Sequence, residues 1–483
     1  MSTDTPPSTA RLADPAGDRD ARSLLARLGA LLLELLVMAS GPMLLMLVHY
    51  FSWGAGLYRF AMLCALALLV GWLGVRRKKL VPVLTRGAGR YLLAAGVAAL
   101  FMMQVRSFVR DIAHGGICTT DMGKPSICAG EWLLHGDNPW AQCATVKLSK
   151  KARRHPTTTF EWCLREDRCV DRKAGHAYKT FDHHGPGFDF MDGYKYGPMM
   201  MLAYLPAGHL LRERGIYLTN FVFWLGMIAL LYATAVAAHP KLPSVGLRAL
   251  GGLLFTVAIP IGDILPSATV YWLGVEAHAS PPSRYEFVRE LTKTCANDVI
   301  PVVLLLAAVL LCARKHSAWA GVLIGLSMAA KQLPAPLIGL LLVFMDGVSW
   351  KRLLSAAVVT ATLCYLPFFV WAPREMTANL LLFNMLRPTN SSSIRELLPA
   401  GLESLVSLAQ LAVVALCVLY FARKTERTLA ALLPVAAVLI VLFIALNKVV
   451  HGNYLLWVQP FVALALAGAP YALGAERRLR RTS

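Results

Sequence analysis

Apolar and polar positions along this chain fall into long blocks. Three apolar runs come first, at roughly 28–50, 57–75 and 90–109. A polar stretch from Arg110 to Lys195 interrupts them. Nine more apolar runs follow, at 216–238, 246–265, 298–314, 317–331, 333–346, 352–372, 403–422, 428–447 and 452–473. A helix of about 20 residues crosses a hydrocarbon core of about 30 Å, so these runs predict membrane-spanning helices, some of them short. The predicted fold class is an all-α polytopic membrane protein of about 12 transmembrane helices with one large outer loop.

Composition agrees. The 483 residues are 57% hydrophobic and 16% charged, with mean hydropathy +0.54, which excludes an ordinary soluble domain. The net charge of +20 lies in basic clusters beside the apolar runs. That placement reads as the positive-inside signal and contact with anionic lipid headgroups, not as nucleic-acid binding. Arg76-Arg77-Lys78-Lys79, Arg314-Lys315-His316, Lys351-Arg352, Arg423-Lys424 with Arg427, and Arg477 to Arg481 are therefore assigned to the cytoplasm.

This threading divides the chain into a polar cytoplasmic tail (1–27), three spans (28–109), an outer domain with short surface helices (110–215), the remaining spans (216–474) and a basic tail (475–483). Further outer loops fall at 266–297, 373–402 and 448–451. The apolar stretch Pro198 to Leu211 is left over. Counting it as a span would invert every later loop against the charges, so it is assigned as a short helix at the outer surface. Within the hairpin of 317–331 and 333–346, Lys331-Gln332-Leu333-Pro334-Ala335-Pro336 sets a charge and two prolines at membrane depth. Such a charge is costly unless it faces a polar cavity or an anion, or snorkels to the headgroups.

Cys118, Cys128, Cys143, Cys163, Cys169 and Cys295 fall on the outer side, whereas Cys64, Cys312, Cys364 and Cys417 sit in apolar runs. Six outer cysteines fit disulfides in an oxidising compartment. Zinc is the rival reading, because His155, His176, His183 and His184 are close by, but there is no CxxC pair. No metal-ligand cluster is convincing, and no cofactor is expected.

Several polar groups near the outer side are suited to chemistry. Asp121, in Cys118-Thr119-Thr120-Asp121-Met122-Gly123, can act as a general base on an incoming hydroxyl or be a solvated loop carboxylate. Asp111 is a second candidate, though a local pairing with Arg110 suits it better. Glu131 to Trp140 predicts a short amphipathic helix stopped by Gly136, with Asn138-Pro139 in a turn. Arg387 to Arg395 (Arg-Pro-Thr-Asn-Ser-Ser-Ser-Ile-Arg) offers guanidiniums, hydroxyls and the amide of Asn390 to a phosphate or sugar, or forms a serine-rich turn before the next helix. His451-Gly452-Asn453-Tyr454 either binds a ligand or belongs to an interfacial aromatic belt. Lys331, with Arg395 and His451, is expected to form a cationic patch facing a phosphate.

In this order the segments resemble the GT-C superfamily of membrane glycosyltransferases, and within it glycosyltransferase family 87, the polyprenol-phosphate-mannose-dependent type. The likeness is carried by Asp121 with Gly136-Asp137-Asn138-Pro139-Trp140, by Tyr196-Gly197-Pro198 with Pro206, by Gly325-Leu326 through Lys331 to Pro334, by Asn390 to Arg395, and by His451 to Trp457. Where the family often shows Gly-Gln-x-Asn or Gly-Gln-x-Asp, this chain reads Cys295-Ala296-Asn297-Asp298.

The resemblance implies inverting hexose transfer, mannose foremost, from a polyprenyl-phosphate sugar to a lipid or glycan acceptor at the periplasmic face of the inner membrane. It implies Asp121 as base. Lys331, Arg395, Arg387 and His451, with Asn390 and Asn453, would serve the donor phosphate and sugar, and Tyr196 and Trp140 the acceptor side. Asp121 and Lys331 would then share one outward-facing pocket. A 12-helix secondary transporter is the runner-up, but the uneven 3 + 9 division and the lack of repeated motifs oppose it. A lipid-linked glycan ligase or polymerase is a third reading. Such enzymes rely on outer-loop arginines and a histidine rather than on an early aspartate.

Overall fold

The computed structural model describes residues 88–114, 123–140, 194–212, 214–242, 244–258, 296–382, 402–448 and 456–468, together with Ser393, Arg395, Leu398, Pro399 and Tyr454. Among them every regular element is a helix. We number these α1 (Ala88–His114), α2 (Lys124–Leu134), α3 (Pro198–Leu211), α4 (Arg214–Ala238), α5 (Val245–Ala258), α6 (Val299–Ala313), α7 (Ser317–Ala330), α8 (Ala335–Leu342), α9 (Trp350–Trp371), α10 (Pro373–Thr377), α11 (Glu403–Ala422), α12 (Leu429–Ala445) and α13 (Leu456–Gly468). Each apolar run expected from residue 90 onward overlaps a helix. The expected spans 28–50 and 57–75 lie outside the described residues, as do Cys64, Cys118, Cys143, Cys163, Cys169 and Cys295.

Three helices, α4, α9 and α11, are long and apolar enough to cross a membrane. α9 and α11 bury little of themselves: Val358, Leu363, Leu408, Leu411 and Leu416 are exposed. Two long helices with leucine and valine turned outward would be aggregation surfaces in water. In a bilayer they are the lipid-facing wall, so this is a membrane protein. α13 is the opposite case. Each of its residues is buried, which suits a helix apolar on every side at the centre of the bundle. α8 is only 8 residues long. At 1.5 Å per residue it rises about 12 Å, so the second arm of the expected hairpin is shorter than 333–346 and its remaining residues form turns.

α7 packs along α9, α6 and α3. Its contact with α9 depends on Gly321 and Gly325, since a side chain at either would meet the carbonyls of Leu353 or Ala357. This is the small-xxx-small spacing by which membrane helices approach closely. Ser327, also on α7, donates to the carbonyl of Pro301 on α6 at 2.8 Å.

The short helices obey their local signals. Gly136 takes a φ of +78° just after α2, as its position in the sequence predicts. Pro198 opens α3 at a first-turn position where its missing N–H is harmless. α3 has 14 residues, about 21 Å, and packs on α2, α4 and α7 through Met200, Met201, Tyr204 and Gly208. At 14 residues it is shorter than the roughly 20 that a crossing helix needs.

Segments assigned to the same side of the membrane meet at the same end of the bundle. Asp346 and Arg427, from two expected cytoplasmic loops, pair at 3.0 Å. Ser349 N donates to Ser317 Oγ at 2.9 Å nearby in sequence. The expected outer segments also meet. Gly197 N donates to Ala330 O at 3.2 Å, Gln332 Nε2 to Leu380 O at 3.1 Å and Asn379 Nδ2 to Trp140 O at 3.2 Å.

Candidate active site

The end where the expected outer segments meet is built on a second apolar cluster. Ala129, Trp132, Trp140, Tyr194, Met201, Met376 and Leu380 are buried together, with Tyr196, Tyr365 and Phe368 against them. Trp140 lies between Tyr194 and Phe368, with ring centroids 5.6 and 5.0 Å away, and is 1% exposed. Asn138 fixes the turn before it by accepting from Trp140 N at 3.0 Å. Tyr194 donates its hydroxyl to Ser126 Oγ at 3.0 Å, and burial pushes its phenol well above the ordinary range, so it stays a donor. Trp140 is thus enclosed by protein. Its contact to the site runs through Tyr194, which stacks edge-on to Tyr196 at 5.7 Å.

Tyr196 leads directly to Gly197, where the chain touches α7. A Cβ at Gly197 would overlap the Ala329 carbonyl and come within 2.8 Å of the Tyr365 hydroxyl. Tyr365 itself donates to Met328 O at 2.8 Å, so it cannot yield freely. Gly197→Ala is therefore expected to destabilise the protein by about 3 kcal/mol, read as a lowered melting temperature in detergent. A melting curve like that of the unmodified protein would show that the approach is looser than the geometry requires.

Lys331 follows α7 in extended backbone and is the charged centre of this end. Its Nζ lies 2.6 Å from Asp298 Oδ1; the lysine side chain is 14% exposed and the aspartate side chain wholly buried. The same Oδ1 accepts from Trp457 Nε1 at 2.5 Å. Three rings face the ammonium: Tyr196 at 5.7 Å, Tyr454 at 5.4 Å and Trp457 at 5.3 Å. Tyr454 and Trp457 stack on each other at 4.4 Å. A buried lysine needs a counter-charge, and aromatic faces add attraction that grows as water is excluded. The expected cost of a charge here is thus offset by a carboxylate of the protein itself.

Asp298 precedes α6 and makes no side-chain cap bond to that helix. An aspartate at this position ordinarily caps the helix N-terminus. Here it turns to Lys331, 33 positions away, and to Trp457, 159 positions away. In the sequence it stood out only as a departure from a family pattern.

Arg395 has its own surroundings. Its Nε donates to Leu446 O at 3.0 Å, Nη1 to Ser407 Oγ at 2.8 Å and Nη2 to Gln410 Oε1 at 3.1 Å, and it is 7% exposed. Ser393 Oγ donates to Asn447 O at 2.6 Å beside it. These bonds fasten the outer loop onto α11 and α12. Arg395→Ala is expected to lower stability by about 2–3 kcal/mol in thermal melts. Arg395→Lys should not restore it, because the three donors of an ammonium sit on one nitrogen and cannot span acceptors that three guanidinium nitrogens reach; full recovery by lysine would mean that charge alone matters there. Asp121, Arg387, Asn390, His451 and Asn453 lie outside the described residues. Of the expected site residues, the structure brings together Lys331 and Tyr196, and sets Trp140 one ring behind them.

No curated protein and no solved structure matches this chain. The family model described as glycosyltransferase family 87 matches residues 194–446, a stretch that contains Tyr196, Asp298, Lys331 and Arg395. That is more than half of the chain, and it agrees with the order of segments, so the protein belongs to glycosyltransferase family 87 and is a glycosyltransferase.

Proposed function

We propose that this protein transfers a hexose, mannose foremost, from a polyprenyl-phosphate sugar to a lipid or glycan acceptor at the periplasmic face of the inner membrane, with inversion at the anomeric carbon. The observation that supports this most is the largely shielded ammonium of Lys331. It sits at the end of the bundle where the expected outer segments converge, beneath the rings of Tyr196, Tyr454 and Trp457. An ammonium so placed, even with Asp298 as its partner, suits an anion arriving from the lipid side.

In this reading the Asp121 carboxylate takes the proton of the acceptor hydroxyl. The acceptor oxygen attacks the anomeric carbon as the bond from that carbon to the phosphate oxygen breaks. The electron pair stays on the phosphate, giving free polyprenyl phosphate. A phosphate leaving group needs charge stabilisation more than protonation, so no metal is required by this chemistry. Lys331 meets the developing charge, helped by Arg387, His451 and the guanidinium N–H groups of Arg395 that the loop leaves over. Asn390 and Asn453 bond the sugar hydroxyls. Tyr196 borders the acceptor side, with Trp140 fixing it from behind. α2 begins just beyond Asp121 and packs on α3, which Tyr196 and Gly197 lead into; this supports a common site for base and ammonium.

The test is turnover. Membranes containing the protein, given a labelled polyprenyl-phosphate mannose, should release polyprenyl phosphate and move label to an acceptor. If no member of a panel of polyprenyl-phosphate hexoses is consumed above membranes lacking the protein, the reading fails.

A further inference from the structure

Lys331 is not a bare cation. Its nearest partner is an anion, and that anion is held by a second donor. Resting on the reading above, we infer that Asp298 is a positioning residue that weakens the grip of Lys331 on a lipid monophosphate, so that the product can leave after transfer.

The reasoning is electrostatic. An ammonium and a carboxylate at 2.6 Å form a locally neutral pair. A sugar phosphodiester carries one negative charge, while the phosphate monoester left after transfer carries nearly two. A neutral pair binds the first weakly, and its ammonium can lean toward the second as charge builds. An uncompensated ammonium under three aromatic rings would hold the doubly charged product too firmly. The geometry suits such tempering. Asp298 is wholly buried while Lys331 keeps an exposed fraction, so the anion side of the pair is fixed and the cation side faces outward. Trp457 Nε1 shares the same carboxylate oxygen, which limits how strongly Asp298 holds the lysine. Asp298 makes no side-chain cap bond to α6, so capping that helix does not explain its place.

This predicts changes of opposite sign. The full-length protein in detergent would be titrated with farnesyl phosphate, a short isoprenyl monophosphate, with inorganic phosphate as the control for the lipid part. Lys331→Met should abolish saturable binding. Asp298→Asn should bind about tenfold more tightly than the unmodified protein, since it frees a full charge. Trp457→Phe keeps a ring but removes the N–H that competes for Oδ1, so the carboxylate holds Lys331 more strongly and the protein should bind a few-fold more weakly. In turnover, Asp298→Asn should lower KM for the donor together with kcat, because release becomes slow. A residue that merely held the fold would raise KM.

Equal or weaker binding by a folded Asp298→Asn protein overturns the inference and leaves the proposed function standing. Should that variant not fold, Trp457→Phe decides, and binding as tight as or tighter than that of the unmodified protein overturns the inference. Binding that is indifferent to Lys331→Met overturns both this inference and the assignment of the donor phosphate to Lys331. Binding of inorganic phosphate as tight as that of farnesyl phosphate would remove the lipid part of the proposal.

Discussion

Asp121→Asn is expected to slow hexose transfer by roughly 10²–10⁴-fold while the protein still folds and still binds donor. The exchange preserves size and polarity and removes only the ability to take a proton. An acceptor hydroxyl is a weak nucleophile until its proton has somewhere to go, so the loss falls on the chemical step. Initial rates with labelled donor should show kcat lowered and donor KM little changed. A variant that turns over within about threefold of the unmodified protein would take Asp121 out of the mechanism, since general-base catalysis is worth far more than that.

Lys331→Met is expected to be nearly as severe, for two separable reasons. Losing a charge aimed at a developing anion costs about 10²–10³ in kcat. The substitution also strands Asp298, whose side chain is wholly buried. Removing one partner of a buried pair destabilises by about 3–5 kcal/mol. The double variant Lys331→Met with Asp298→Asn separates the effects. Melting temperature should recover, because no charge is left unmatched, while transfer should stay as low as in the single variant. Recovery of transfer along with stability would show that Lys331 serves only the fold.

How much of this could be read from sequence differs by element. The ends of α2 and α3 were legible because their causes are local: a glycine able to take positive φ at 136 and a proline at 198. The helices from residue 90 onward were legible because a membrane-crossing helix is written as one apolar block. Lys331 was legible as an anomaly, since a charge inside such a block calls for an explanation. Its explanation was not legible. Asp298 looks like a helix cap, Trp457 like part of an interfacial belt, and Tyr196 like one residue of a loop motif. Arg395 was grouped with Lys331 because both are cationic and on the outer side. The structure gives it the further partners Leu446, Ser407 and Gln410, which no local pattern names. Charge can be read from composition, but the acceptor that a charge meets depends on which helices are neighbours.

The amino-acid sequence by itself determined a helical membrane protein, the ends of its short helices and membership of a glycosyltransferase family, and it set the expected sidedness of the loops. Each of these follows from the period of apolar residues, the distribution of lysine and arginine, or turn residues acting within a few positions. The tertiary structure decided that the lysine at the tip of the hairpin is matched by an internal carboxylate, faced by three rings from two distant segments and set beside a glycine contact that admits no side chain. Those features join residues 33 to 159 positions apart, and only the packing of helices brings them within reach.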